Sequence, residues 1–185
     1  GDVRDFSCFM NAVIDERSFK KISGYLDFIK SSSDAKVLFG GNAHSKTGYF
    51  IEPTLVVTEN PHFKTMQEEI FGPVLTVFVY DDQDFEKTLQ LCDNTSAYAL
   101  TGAIFAQDRN VINHMTTRLQ NSAGNLYVND KPTGAVVGQQ PFGGSRGSGT
   151  NDKAGSALNL QRWLSPRTIK ETLVPPTNYR YPFMS

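Results

Sequence analysis

Apolar positions along the chain come in short stretches whose period switches between that of a helix and that of a strand. Phe19, Ile22, Leu26 and Ile29 recur on one helical face behind Asp15, which suits an N-cap. Val37-Leu38-Phe39 is a brief apolar run closed by Gly40-Gly41. Residues 49–57 (YFIEPTLVV) read as extended, with Pro53 marking an edge or a bulge. Residues 73–80 (PVLTVFVY) are an almost unbroken β-rich run, which predicts a strand covered on both faces. Phe85, Leu89 and Cys92 space a second helix, and residues 101–106 (TGAIFA) a short strand. Val111, Ile112, Met115 and Leu119 form a third helical stripe behind Asp108, followed by a strand at 124–128 (GNLYV). Strand–helix–strand alternation predicts an α/β architecture: layered, with a largely parallel sheet flanked by helices.

The pattern stops at Asn129. From there to Thr150 the chain carries six glycines and two prolines without apolar periodicity. Residues 152–160 suit a short helix, 161–174 (QRWLSPRTIKETLV) read as extended again, and the tail opens on Pro175-Pro176. The expected division is one α/β unit over 1–160, with an extended strand and tail over 161–185.

Composition narrows the function classes. Lys and Arg number 18 and Asp and Glu 19, a formal net charge of −1 over 185 residues. Such a chain has no global field to gather nucleic acid or an anionic membrane, so neither is expected as a partner. No apolar run reaches the length of a bilayer span. Cys8 and Cys92 alone exclude a disulfide scaffold and a cysteine-based zinc site. His44, His62 and His114 stand apart with no pairing at i, i+4, so no metal site is expected. Cys92 falls on the apolar face of its helix and Cys8 lies between Phe6 and Phe9. Both read as core residues lacking the base or electropositive niche that a nucleophile needs.

Two segments carry candidate chemistry. The stretch 129–150 is longer than loops usually run inside a compact domain, and it leaves a strand at the carboxyl edge, where open α/β sheets place ligands. Its glycines leave backbone N–H groups open, and Gly134-Ala135 suits a nest for a carboxylate. A plain surface turn explains the same glycines equally well. The stretch FGGSRGSG (142–149) matches neither a dinucleotide fingerprint nor a Walker A loop. Its Arg146 suits a phosphate or carboxylate, but also solvent or an internal ion pair. The second segment is Glu68-Glu69-Ile70-Phe71-Gly72-Pro73. A carboxylate fixed at a strand entrance accepts two hydrogen bonds from a vicinal diol such as a ribose, and a neighbouring aromatic lies flat against a heterocycle. The competing reading is a solvated glutamate pair ending a helix, with Phe71 in the core.

Glu68–Val74 (EEIFGPV) and Pro141–Gly149 (PFGGSRGSG), with strands and helices alternating between them, resemble two elements of the NAD(P)-dependent aldehyde dehydrogenase family. Asn129-Asp130-Lys131, Val137 to Gly144 and Gly149 to Lys153 narrow the resemblance to mitochondrial members that oxidise glutamate γ-semialdehyde to glutamate in proline catabolism, which implies the mitochondrial matrix. The resemblance runs along essentially the whole chain. It implies that Glu69 grips the nicotinamide ribose of NAD and that Phe71 lies beside the nicotinamide. It likewise assigns Gly134 and Ala135 to anchoring the substrate's α-carboxylate through backbone N–H groups, and Phe142 to packing on the aliphatic part of the substrate. Relatives often carry serine at the place of Ala135. Residues 161–174 resemble the strand that such enzymes add to a neighbouring subunit's sheet, implying a homo-oligomer.

In the family a cysteine thiolate attacks the aldehyde, hydride passes to NAD, and water activated by a glutamate hydrolyses the thioester. That cysteine and that base lie N-terminal to the region this chain resembles. The chain is therefore expected to be the C-terminal part of such an enzyme, to hold no catalytic residue and to be inactive alone. Two alternatives stay open: a truncated product serving as a binding or assembly module, and another subgroup of the same family.

Overall fold

The computed structural model describes residues 1–132, 135–136 and 138–184. Helix α1 (Glu16–Ser31) starts where expected, the Asp15 carboxylate accepting from the Ser18 N–H at 2.7 Å. Its buried stripe is Ile22, Leu26 and Ile29. That stripe lies on one face of a three-stranded sheet in the order β1 (Ala35–Phe39), β4 (Thr54–Thr58), β5 (Val74–Phe78). In the connection from β1 to β4, the short strands β2 (Ala43–His44) and β3 (Phe50–Ile51) pair as a separate two-stranded sheet, and Ile51 joins the same core with Val56, Phe63 and Ile70. Strands β4 and β5 run parallel, whereas β1 runs antiparallel to β4. Pro53 sits in the break between β3 and β4. The irregular register falls on β1 instead, between Val37 and Phe39.

After β5, helix α3 (Phe85–Asn94) leads through β6 (Tyr98–Ala99) into β7 (Thr101–Ile104), and helix α4 (Arg109–Arg118) crosses over to β8 (Asn125–Val128). Strands β7 and β8 are parallel, as a helical crossover requires. Asp108 caps α4 through the N–H groups of Asn110 and Val111. Leu89, Ile104, Ile112, Met115 and Leu119 form a second core. The α/β layering and the parallel crossovers are those read from the chain; the parallel strands are shared between two small sheets, each with its own core.

Several local expectations are corrected. Strand β5 was expected to be covered on both faces, but among the described residues only α1's side is covered. Leu75 is 63 % exposed and, with Phe39 and Leu55, lines an apolar hollow of about 400 Å³. Phe6 and Phe9 are 99 % and 97 % exposed, so the segment around the half-buried Cys8 is not core. Cys92 is exposed too, because α3 turns Leu89 rather than Cys92 to the second core. Helix α5 is shorter than read, Ala157–Leu160. Residues Gln161–Trp163 form a 3₁₀ turn, and no strand is formed over 164–174, where an extended stretch was expected.

Candidate active site

The first motif begins where helix α2 (Lys64–Gln67) ends. The Glu68 N–H closes that helix on the Lys64 carbonyl at 3.0 Å. The two adjacent carboxylates then part. Glu68 turns to α1, where its carboxylate accepts from the Tyr25 hydroxyl at 2.5 Å and lies 3.9 Å from the Lys64 ammonium. The same contact raises the Tyr25 pKa: the hydrogen bond to Glu68 first, desolvation second. Glu69 gives α1 only its backbone, its carbonyl accepting from Lys21 Nζ at 2.7 Å. Among the described residues no side chain engages the Glu69 carboxylate.

Both glutamates are exposed at the end of α2, as the competing reading of this motif has them, but Phe71 departs from it. It is 82 % exposed, so it does not belong to the core. Its backbone sits at φ +61°, in the left-handed region that side chains other than glycine enter at a cost of about 1–2 kcal/mol. Gly72 follows with its Cα against α1; a Cβ there would stand 2.5 Å from Ile22 Cδ1. Packing of Gly72 on Ile22 thus fixes the chain while Phe71 is held outward, an arrangement that burial alone does not reward.

The glycine-rich motif is pinned at both ends. Asn125, the first residue of β8, donates from Nδ2 to the Pro141 carbonyl at 2.8 Å and accepts at Oδ1 from the Gly143 N–H at 3.1 Å. Phe142 and Ala154 exchange backbone hydrogen bonds at 2.9 and 2.7 Å, and Lys153 Nζ reaches the Gly124 carbonyl at 2.5 Å. These contacts hold Phe142 half-buried. Beyond it, β9 (Ser145–Arg146) pairs with β6, the Gly147 N–H bonds to the Ala97 carbonyl, and the Ala99 N–H donates to Ser148 Oγ at 3.0 Å. Arg146 takes the paired reading: its guanidinium donates to the Asp93 carbonyl and to Asp93 Oδ1, each at 2.6 Å. Asp93 also accepts from the Ser122 hydroxyl, and this bond, together with Arg146, holds its carboxyl below the usual carboxylate range.

The two motifs meet. A cleft of about 220 Å³ is walled on one side by Gln67, Glu68 and Glu69 and on the other by Ser96, Tyr98 and Ser148. Glu69 and the end of the glycine-rich loop therefore border one space. Phe71, Ala135 and Phe142 are not among the residues lining that cleft, and Gly134 lies outside the described residues. Ala135 is half-buried just before a turn centred on Gly138. Asn129 closes the β8 edge with its amide, which both accepts from and donates to the Ala106 backbone at 2.9 Å.

Reading motifs alone missed Asn125, Lys153, Asp93 and Ser148. The available signal was a polar residue opening an apolar strand (Asn125) and the hydroxyl inside the glycine run (Ser148). Although Cys92 as a residue is exposed, surrounding protein atoms still desolvate its sulfur, and this, with the adjacent Asp93 carboxylate second, pushes the thiol's pKa up, away from thiolate. Among the described residues no group of three His, Cys, Asp or Glu side chains is placed to hold a metal, and no helix is long and apolar enough to cross a membrane.

A twin-motif cleft, with one engaged and one free glutamate, on this α/β frame is accompanied by a match of residues 1–169 to the aldehyde dehydrogenase family. The chain belongs to that family. It is 58 % identical over its whole length to a mitochondrial delta-1-pyrroline-5-carboxylate dehydrogenase of Dictyostelium discoideum, covering 33 % of that protein. It is 50 % identical to the human mitochondrial protein of the same name, over 97 % of this chain and 32 % of the relative. The crystal structure of the Mycobacterium tuberculosis delta-pyrroline-5-carboxylate dehydrogenase bound with NAD superposes with a TM-score of 0.77 at 49 % identity, over 94 % of this chain and 31 % of that one. The chain thus spans about a third of the length of the relatives it matches.

Proposed function

We propose that this chain forms the cofactor-gripping and substrate-anchoring part of an NAD-dependent dehydrogenase that oxidises glutamate γ-semialdehyde, the open form of 1-pyrroline-5-carboxylate, to glutamate in the mitochondrial matrix. The observation that carries the reading is the divergence of the two adjacent carboxylates: Glu68 is engaged by Tyr25, while Glu69 stands unengaged at a cleft shared with the Ser148 loop. An anionic carboxylate is acceptor-only, and its two oxygens match the two hydroxyls of a ribose. NAD, when bound, supplies the hydride acceptor. Glu69 fixes the sugar next to it, and the outward Phe71 offers a flat face beside the nicotinamide ring.

On the substrate side, Gly134 and Ala135 hold the α-carboxylate through backbone N–H groups, and Phe142, pinned by Asn125 and Ala154, packs on the methylene chain. Alanine at 135 keeps the backbone donor and lacks the hydroxyl that a serine would add. Residues 161–174, with Ile169 and Leu173 exposed among them, suit strand addition to a second copy of the chain, giving a homo-oligomer. On this reading residues 1–160 are catalytic-domain structure and 161–185 the oligomerisation strand and tail. Neither Cys8 nor Cys92 acts as nucleophile, so the 185 residues by themselves turn over no aldehyde.

The test is paired substitution in the full-length polypeptide that carries this sequence. Glu69→Gln is expected to lower kcat/KM for NAD by roughly 10- to 100-fold, the loss of charge-assisted hydrogen bonds worth about 1.5–3 kcal/mol. Glu68→Gln is expected to stay within about threefold, its carboxylate being committed to α1. Equal effects of the two substitutions overturn the assignment.

A further inference from the structure

Resting on the ribose reading of Glu69, we propose that the glycine-rich loop is built of two separately anchored arms. In this division the Arg146–Asp93 fork sets the arm that borders the dinucleotide cleft, and the Asn125 clamp sets the arm that carries Phe142. Arg146 and Asp93 are then positioning residues for the dinucleotide, although neither lines the cleft.

The two side-chain anchors share no partner; behind them the arms are joined through backbone, the Gly124 and Asn125 N–H groups donating to the Ala99 and Leu100 carbonyls at 2.9 and 3.1 Å. On the Phe142 arm, Asn125 spans the Pro141 carbonyl and the Gly143 N–H, and the Phe142–Ala154 bridge and Lys153 complete the hold. On the other arm, Arg146 grips both the backbone carbonyl and the carboxylate of Asp93 at the end of α3, and Ser122, beyond α4, donates to the same carboxylate oxygen. Gly143 and Gly144 lie between the arms. Gly144 packs so closely that a Cβ would stand 2.6 Å from Ser148 Cβ and 2.9 Å from Leu100 Cδ1. The second arm is thereby pressed on residues 96–100, which with Ser148 make the cleft wall facing Glu69.

An isolated exposed ion pair would carry little weight. Here the side chains of Arg146 and Asp93 are only 31 % and 30 % exposed, and the guanidinium makes a two-pronged, short contact of the kind that fixes direction as well as distance. The backbone adds an independent indication. Arg146 holds φ +51°, a conformation that glycine adopts without strain. What arginine contributes at this position is therefore its side chain, reaching back from the loop to α3.

Steady-state kinetics of the full-length polypeptide, with NAD affinity also measured directly by calorimetric titration in the absence of aldehyde and expected to follow KM for NAD, separate the arms. Arg146→Gln and Asp93→Asn are each expected to raise KM for NAD about tenfold and to leave KM for the aldehyde within about twofold. The double substitution is expected to be no worse than either single one, because both break one fork. Arg146→Lys, which keeps the charge but not both prongs, recovers part of the loss. Arg146→Gly is as impaired as Arg146→Gln despite its relaxed backbone. Asn125→Ala gives the opposite split, raising KM for the aldehyde more than that for NAD. Should Arg146→Gln fail to fold, the near-isosteric Asp93→Asn carries the comparison. Equal changes in both KM values, additive effects in the double variant, or a wild-type-like Arg146→Gly overturns the two-arm proposal. Glu69→Gln serves as the reference. If it leaves KM for NAD unchanged, the ribose reading fails and the proposal with it. If it raises KM for NAD while Arg146→Gln and Asp93→Asn do not, the proposal alone fails.

Discussion

Replacing Gly124 by alanine attacks the join between β8 and the glycine-rich loop through sterics alone. A Cβ at position 124 would stand 1.9 Å from the Gly143 carbonyl oxygen and 2.8 Å from Gly144 Cα. The obstruction is backbone on both sides, so no rotamer relieves it. The Gly143 carbonyl must move, and it is also 3.3 Å from Lys153 Nζ and adjoins the Asn125 clamp. Overpacking of a fitted contact costs about 1–3 kcal/mol, and the rigidity here argues for the upper half of that range. For a unit of this size, that lowers Tm by roughly 4–12 °C. Gly24 provides the internal control. It lies within α1 with no atom within 4 Å of an added Cβ, so Gly24→Ala removes only the entropic penalty of a helical glycine and raises stability by about 0.5–1 kcal/mol. Thermal unfolding of the two variants beside the parent protein reads out opposite signs, and Gly124→Ala also raises KM for the aldehyde because the Phe142 turn is displaced. Shifts of the same sign, or an undisturbed Gly124→Ala, would refute the reasoning.

Gly134→Val is expected to raise KM for an aldehyde bearing an α-carboxylate more than KM for a simple aliphatic aldehyde; equal effects measured on the two substrates would count against carboxylate capture at that turn. The carboxyl of Asp93 is held below its ordinary value by Ser122 and Arg146, so its contribution to stability is complete above the unfolded carboxylate range. That contribution is lost as pH falls through the lowered folded value, and a denaturation series from pH 6 to about 3 should therefore show a shallower acid loss for Asp93→Asn than for the parent. Changing Ile169 and Leu173 together to serine is expected to shift the assembly towards smaller species by light scattering. Leu173 is 88 % exposed, and its loss therefore removes no internal packing.

Periodic segments were legible in the chain because their burial is local. The stripes of α1 and α4 and the caps at Asp15 and Asp108 follow from spacing and side-chain chemistry alone. Cys92 and β5 were not legible for one reason: what lies on the far side of an element is a tertiary matter. α3 leaves Cys92 outside the second core, and the outer face of β5 is uncovered among the described residues. At the site, the two motifs announced themselves, and so did the choice between two meanings of Glu68-Glu69. The partner that sets the two carboxylates apart, Tyr25, lies 43 residues away in sequence. The Asp93–Arg146 fork spans 53 residues and has no local signature. Backbone strain at Phe71 and Arg146 is equally silent in a sequence, since nothing about phenylalanine or arginine requests a positive φ.

The central claim is that Glu69 holds the ribose of NAD in the cleft it shares with Ser148. A crystal structure of the full-length polypeptide with NAD bound measures it directly. The account predicts both nicotinamide-ribose hydroxyls at about 2.5–2.9 Å from the Glu69 carboxylate, with Glu68 still on Tyr25. A ribose seated away from Glu69, or gripped by Glu68 in its place, would contradict it.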